Sequence, residues 1–245
     1  MSKRDLFDLT VLKLGGSVLT DAAAYGRAAE FVAARLTSPA SRLLVVVSAE
    51  LGHTDVLLGE ARAIAPEPDT ETLDLLWSTG ELRSVALLTL ALKSIGVAAA
   101  ALNAHEAGLR AVGGAVALNV ITLRAALAEH RVVVVPGFLA TRDQRFVTLG
   151  RGGSDLSAVL LGAALGADGV ELIKDVDGYF TADPRVNPDA QLISRLHVDD
   201  ALQLADAGCP LVQRHAVAAA RDASLPLVVR SFTSAGTLVG VELRA

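Results

Sequence analysis

The runs "RLLVVVSA" (42–49) and "RVVVVPGF" (131–138) constrain this chain more than any other feature. Each places four or five apolar, mostly β-branched residues in succession, with no polar residue alternating among them. A strand built from such a run must be covered on both faces, which is the signature of a parallel sheet between helix layers. The rest of the chain keeps the rhythm. "LTVLKLG" (9–15), "VAAAALNA" (97–104), "GVELIKDVDG" (169–178), "LPLVVRSF" (225–232) and "GTLVGVEL" (236–243) read as further strands or strand–turn segments. Between them lie alanine- and leucine-rich helical patterns: 22–36, a long one over 70–96 interrupted near Ser78-Thr79-Gly80, 119–130, one after residue 155, and a helix pair over about 197–222. The expectation is an α/β fold, a three-layer αβα sandwich around a central, mainly parallel sheet.

Composition narrows the partners. The chain has 245 residues, 4% of them aromatic, and a formal charge of −5, so its core is built from Ala, Val and Leu and carries no basic block suited to nucleic acid. A single cysteine, Cys209, excludes an internal disulfide and a cysteine-based metal cage and fits a reducing, cytoplasmic setting. "MSKRDLFDLT" has no apolar core of a signal peptide, and polar residues break the apolar runs short of a membrane span.

In open α/β sheets ligands collect beyond the carboxyl ends of the strands, and that is where the polar clusters fall. Lys13-Leu14-Gly15-Gly16-Ser17 ends the first strand, Ser48 the second, Asn103 the third, Gly137-Phe138 the fourth, and Lys174-Asp175 the fifth. "KLGGS" offers glycines for close backbone approach, an anion-binding nest of N–H groups and a cation for phosphate; equally, it is what a plain turn looks like. "GRGGSD" (150–155) opens a helix. Ser154 or Asp155 could simply cap it. The free N–H groups and positive dipole end of a helix start also attract an anion, and Arg151 can grip a carboxylate in bidentate fashion. "KDVDGYFTADPR" (174–185) is either a solvated loop or one that wraps a nucleotide, and Glu81 in "STGELRS" either a surface residue or a partner for a substrate ammonium. The five histidines show no metal-ligand spacing, and no serine-hydrolase or zinc-protease motif is present.

Taken together and in this order, these pieces resemble the amino acid kinase superfamily, and within it the catalytic domain of aspartokinase. The likeness spans about residues 9–240 and is carried by "GRGGSD", by "DVDGYFTADPR" with "NPDAQLISRLHVDDALQLADAGC", and by "VVVSAELGHTD", "STGELRSVALLTLALKSIG" and "LPLVVRSFTSAGTLVG". It implies one kinase domain over 1–245, with an N-terminal substrate lobe (about 1–145) and a C-terminal nucleotide lobe (about 146–245). It implies ATP as phosphoryl donor, with Mg²⁺ carried by the nucleotide rather than by direct protein ligands. Lys13 and Asp155 are then catalytic, Asp155 organising the lysine. Gly15, Gly16, Ser17, Lys174, Asp175, Tyr179, Asp183 and Arg185 lie on the phosphate and nucleotide side. Ser48, Thr54, Glu81, Phe138, Arg151 and Ser154 would form the acceptor site.

The reaction so implied transfers phosphate to a carboxylate, most simply the β-carboxylate of L-aspartate. Two rivals stand beside it: a kinase of the same fold acting on another small carboxylate, carbamate or phosphate monoester, and a non-catalytic nucleotide-binding protein. The resemblance also implies a homodimer or larger assembly. The matched region stops where aspartokinases commonly continue into regulatory ACT domains, which implies a chain without its own feedback sensor. Two departures stand out. Pro210 occupies the place of a nucleotide-contacting lysine, and Lys174 stands where aspartokinases usually carry threonine, so Lys174 is expected to supply the missing charge.

Overall fold

The computed structural model describes residues 8–209 and 211–242. Pro210, the leading segment read above for targeting signals (1–7) and Leu243 of the last predicted strand lie outside the described residues.

In chain order the elements are β1 (Leu9–Leu14), α1 (Ala22–Ala34), β2 (Arg42–Val47), α2 (His53–Ile64), α3 (Thr70–Ser94), β3 (Ala99–Ala101), α4 (Ala104–Ala107), β4 (Leu109–Val112), β5 (Ala115–Leu118), α5 (Ile121–Glu129), β6 (Val132–Pro136), β7 (Leu139–Arg142), β8 (Arg145–Thr148), α6 (Gly153–Leu165), β9 (Gly169–Ile173), β10 (Arg195–His197), α7 (Val198–Asp206), α8 (Arg214–Asp222), β11 (Leu227–Arg230) and β12 (Thr237–Gly240). The main sheet has eight strands in the order β10-β12-β11-β9-β1-β2-β6-β3. Its pairs are parallel except for antiparallel β11–β12.

The uninterrupted apolar runs occupy the centre, as their sequence requires. Val11, Leu44, Val46, Val133 and Val135 point to the layer of α5 and α6, and Leu12, Leu14, Val45, Val47, Val132 and Val134 to the layer of α1 and α3. Each such side chain, fully buried, contributes about 1.5–3 kcal/mol. The sandwich thins toward β11 and β12. There α7 and α8 cover one face, while on the other the row Glu171, Val228, Leu238 and Arg195 runs across four strands and stays partly open. The end of α1 reaches this row through Arg35, which pairs with Glu171 at 3.0 Å.

Several elements differ from the sequence reading. The predicted break at Ser78-Thr79-Gly80 is absent, and α3 runs unbroken. Ser78 and Thr79 turn their hydroxyls back onto the carbonyls of Leu75 and Leu76, both at 2.7 Å, so their polarity is absorbed inside the helix. α3 is also long and apolar enough to pass for a membrane span by length and composition, contrary to the expectation from the apolar runs. It packs instead against α1, β6 and β3, and Asp74, Ser78, Glu81 and Ser84 along it are buried inside the domain. α2 was not foreseen; it buries only Leu57, so few apolar positions along it are committed to the core. Asn103 does not end a strand. It caps α4, its side chain accepting from the His105 and Glu106 N–H groups while Glu106 accepts from the Asn103 N–H.

The turn-rich insert after β6 is a hairpin. Residues Asp143 and Gln144 both have positive φ (49° and 64°), the handedness a two-residue hairpin turn needs. β4 and β5 form a second hairpin around Gly113-Gly114, and the two hairpins make a four-stranded sheet, β5-β4-β7-β8, beside the main one.

Candidate active site

Side-chain alternation along two neighbouring strands builds the centre of the site. In β1, Val11 faces α6, so Lys13 two residues later faces it too; in β9, Leu172 does the same for Lys174 just beyond the strand end. Asp155, in the first turn of α6, meets both. Its Oδ1 lies 2.8 Å from Lys13 Nζ and its Oδ2 2.9 Å from Lys174 Nζ. All three are largely withdrawn from water, with side-chain exposures of 8% for Lys13, 5% for Asp155 and 16% for Lys174. Burial alone would raise the Asp155 carboxyl, but the Lys13 and Lys174 ammonium groups outweigh it and hold the group at about 2. Lys174 is lowered, first by burial and then by the like charge of Lys13, against the pull of Asp155. One carboxylate thus keeps two ammonium groups side by side at the strand ends, leaving a net positive charge directed at whatever binds there.

Neither Ser154 nor Asp155 caps α6. The helix starts earlier, at Gly153, and its N-cap is Gly152, with no side-chain cap. Gly152 has φ 76°, and a Cβ there would lie 2.2 Å from Cγ of Gln213, so only glycine fits this turn. No side chain caps the first turn; the Gly153 N–H donates to the Gly150 carbonyl at 2.9 Å and the Asp155 N–H to the Gly152 carbonyl at 3.1 Å, and the positive end of the helix dipole faces the site.

On the phosphate side, Gly15 N–H donates to the Ile173 carbonyl at 3.1 Å and Ser17 Oγ donates to Asp175 Oδ1 at 3.0 Å, tying the glycine turn to the end of β9. The six residues predicted for the acceptor site come together. Ser48, Thr54, Glu81, Phe138, Arg151 and Ser154 line one cleft of about 420 Å³. Glu81 and Arg151 therefore share a cavity although they lie on different elements. Glu81 is 3% exposed, and its Oε2 is buried without a hydrogen-bond partner. Burial pushes its carboxyl up to about 8, against the Ala49 N–H that donates to it and the charge of Lys13. Phe138 sits at φ 62°, a conformation that costs a non-glycine residue of order 1–3 kcal/mol and is held here by packing, with its Cα and ring close against Gly153.

The far end of the predicted nucleotide side is looser. Asp183 and Arg185 form an exposed pair at 2.9 Å, and Tyr179 is buried in the core with its N–H on Thr237 Oγ1 at 2.9 Å. Ala49, Asp55, Leu58, Trp77 and Thr148 also line the cleft and were missed in the sequence. Trp77 donates its indole N–H to the Thr54 carbonyl at 3.1 Å and meets the Phe138 ring edge-on at 6.4 Å. Thr148 donates to the buried Asp74 at 2.8 Å. Trp77 could have been found, since it lies one helical turn before Glu81 on the same face.

A parallel sheet with a lysine–carboxylate–lysine centre at its strand ends, beside a cleft offering both a cation and a carboxylate, defines a class, and the chain belongs to it: residues 8–231 match the amino acid kinase family. Among individual proteins it is similar to the aspartokinase of Corynebacterium efficiens, at 40% identity over 94% of this chain and 57% of that protein. Among solved structures it is similar to aspartate kinase from Synechocystis (38% identity, TM-score 0.87, 95% of this chain and 40% of that one). It is also similar to E. coli aspartokinase III in complex with aspartate and ADP (26% identity, TM-score 0.81, 96% of this chain and 65% of that one). The chain thus spans little more than half the length of the curated relatives it matches.

Proposed function

We propose that the protein transfers the γ-phosphoryl group of ATP to the β-carboxylate of L-aspartate, giving 4-phospho-L-aspartate and ADP. The observation that carries this is the placement of Glu81 and Arg151 in one cleft that ends at Ser154, next to the Lys13–Asp155–Lys174 centre. Arg151 takes the α-carboxylate in bidentate fashion and ionised Glu81 takes the α-ammonium, satisfying its orphaned Oε2. Ser48, Thr54 and Phe138 close the cleft around the side chain. The aspartate β-carboxylate is itself the nucleophile, so no general base is required. Its oxygen forms a bond to the γ-phosphorus as the bond from phosphorus to the ADP oxygen breaks.

Catalysis is then positioning and charge neutralisation. Lys13 and Lys174 hold the phosphoryl oxygens, and the turn Gly15-Gly16-Ser17 offers N–H groups to the phosphates. Asp155 touches no substrate oxygen and keeps the two ammonium groups aligned. Asp175, Tyr179, Asp183 and Arg185 belong to the nucleotide side, in the lobe of about 146–245, and most acceptor residues to the lobe of about 1–145; Arg151 and Ser154 reach the acceptor from the second lobe, and Lys13 with the Gly15-Gly16-Ser17 turn reaches the phosphates from the first. Mg²⁺ would arrive on the nucleotide phosphates and would supply charge neutralisation there. The same proposal makes the protein a cytoplasmic homodimer or larger assembly, and exposed Leu90 and Ile95 on and beside α3 are suited to such a contact.

The test is ADP release against a panel of acceptors with hydroxylamine trapping of the product. Aspartate-dependent ADP release with trapped hydroxamate is the expected result. Turnover only with another carboxylate, carbamate or phosphate monoester would reassign the acceptor, and nucleotide binding without turnover would remove the enzyme reading.

A further inference from the structure

The loop Ser48–Leu51 touches both sides of the proposed reaction. Ser48 N–H donates to the Leu14 carbonyl and Leu51 N–H to the Gly16 carbonyl, each at 3.1 Å. The Ala49 carbonyl lies so close to Gly16 that a Cβ on the glycine would be 2.3 Å from it. The Ala49 N–H donates to Glu81. Four residues of irregular backbone therefore set the distance between the phosphate-side turn and the acceptor-side carboxylate.

Glu50 ties this loop to two helices. Its carboxylate is ion-paired with Arg83 of α3, two residues beyond Glu81. It also faces the hydroxyl of Tyr25 on α1, which in turn donates to Ser84 Oγ on α3 at 3.0 Å. Tyr25 and Ser84 are buried, and the Glu50 side chain is only 18% exposed, although Arg83 is half open to water. A partly exposed pair of this kind adds little to global stability. Its leverage lies in where it acts, because a misplacement of about 1 Å between reacting groups can cost about a hundredfold in rate.

We infer that Glu50 is a positioning residue. With Arg83 and Tyr25 it clamps the Ser48–Leu51 loop, so that an acceptor held by Glu81 and Arg151 meets the phosphate held by Lys13 at reacting distance. This rests on the phosphotransfer reading above. It assigns Glu50 no contact with either substrate.

The experiment compares wild type with Glu50→Ala, Glu50→Gln and Glu50→Ala/Arg83→Ala. It measures kcat and both KM values by ADP release, and amide hydrogen exchange at residues 48–51. Glu50→Ala is expected to lower kcat about tenfold or more while both KM values stay within about threefold, because alignment is lost and binding is kept. Glu50→Gln, which keeps neutral hydrogen bonds, recovers most of that loss, and the double variant is no slower than Glu50→Ala because the two side chains act as one clamp. Exchange at the Ala49 and Leu51 amides rises at least about tenfold in Glu50→Ala, as the loop opens more often. An unchanged kcat, or a loss confined to KM, overturns the inference. Wild type that turns over no acceptor defeats the phosphotransfer reading by itself. The exchange rates then decide the clamp, and equal rates at residues 48–51 overturn it.

Discussion

Lys174 ends 2.9 Å from Oδ2 of Asp155, the carboxylate whose other oxygen already holds Lys13. Two cations within reach of one acid is the arrangement expected where a highly charged anion must be received. Replacing Lys174 with alanine should weaken ATP binding about tenfold or more, the scale of one charge-assisted hydrogen bond. Calorimetric titration with a non-hydrolysable ATP analogue checks this. Unchanged affinity would remove Lys174 from the nucleotide side.

Asp155→Asn leaves two buried ammonium groups without their shared counter-charge. The expected cost is about 3–5 kcal/mol, the usual effect of breaking a buried ion pair from one side. A urea unfolding series reads it directly, and a variant as stable as wild type would contradict the pairing. The acid limb has a defined sign. Because the folded-state carboxyl is held at about 2 against 3.8 ordinarily, its contribution is fully present above about pH 4 and is lost as the pH falls toward 2.

Glu81 behaves in the opposite sense. Its carboxyl is raised from 4.5 to about 8 in the fold, so between those values the native state holds a proton that the unfolded chain has lost. Stability therefore falls as pH rises from about 4.5 to about 8, by about 1.4 kcal/mol per unit at most, and levels off above. Glu81→Gln should flatten that slope and raise the melting temperature at pH 8, yet abolish acceptor binding. Melting curves from pH 5 to 9 test it, and identical slopes in variant and wild type would show that Glu81 does not titrate in this range.

Arg151→Lys keeps the charge but loses the planar fork. The acceptor KM should rise about tenfold or more, with nucleotide affinity unaltered. Equal KM values for the two proteins would mean that Arg151 does not grip a carboxylate.

Gly16→Ala puts a methyl group 2.3 Å from the Ala49 carbonyl, an overlap with backbone that only a shift of the loop can relieve. The predicted cost is about 1–3 kcal/mol of stability together with most of the activity. A fully active, equally stable variant would show that the turn has room to give.

The central fold was legible because the valine runs of β2 and β6 admit few alternatives, and the strand ends located the chemistry. Ser48, Thr54, Glu81, Phe138, Arg151 and Ser154, which the family resemblance implied for the acceptor site, line one cleft. The elements missed are those that bury few side chains or lack the residue that usually announces them. α2 buries one side chain, and the Asp143-Gln144 turn adopts positive φ without the glycine that usually announces it. Asn103 was misassigned because a polar residue after an apolar run fits a strand end and a helix cap equally well. Trp77 was not singled out; its spacing to Glu81 places it on the cleft face, but its contact with the Thr54 carbonyl on another helix is not local information. Long-range pairings such as Lys174 with Asp155 depend on strand order, which propensity does not contain.

The acceptor cleft and the lysine centre are built from almost separate stretches of chain. Thr54, Leu58, Trp77 and Glu81 come from α2 and α3, while Lys13, Asp155 and Lys174 come from β1, α6 and the end of β9. They meet mainly at the 150–155 turn. On the proposed reaction, substitutions in α2 and α3 would change which acceptor is taken while the charge apparatus stays as it is, so the scaffold would be open to new substrates by changes in two neighbouring helices alone.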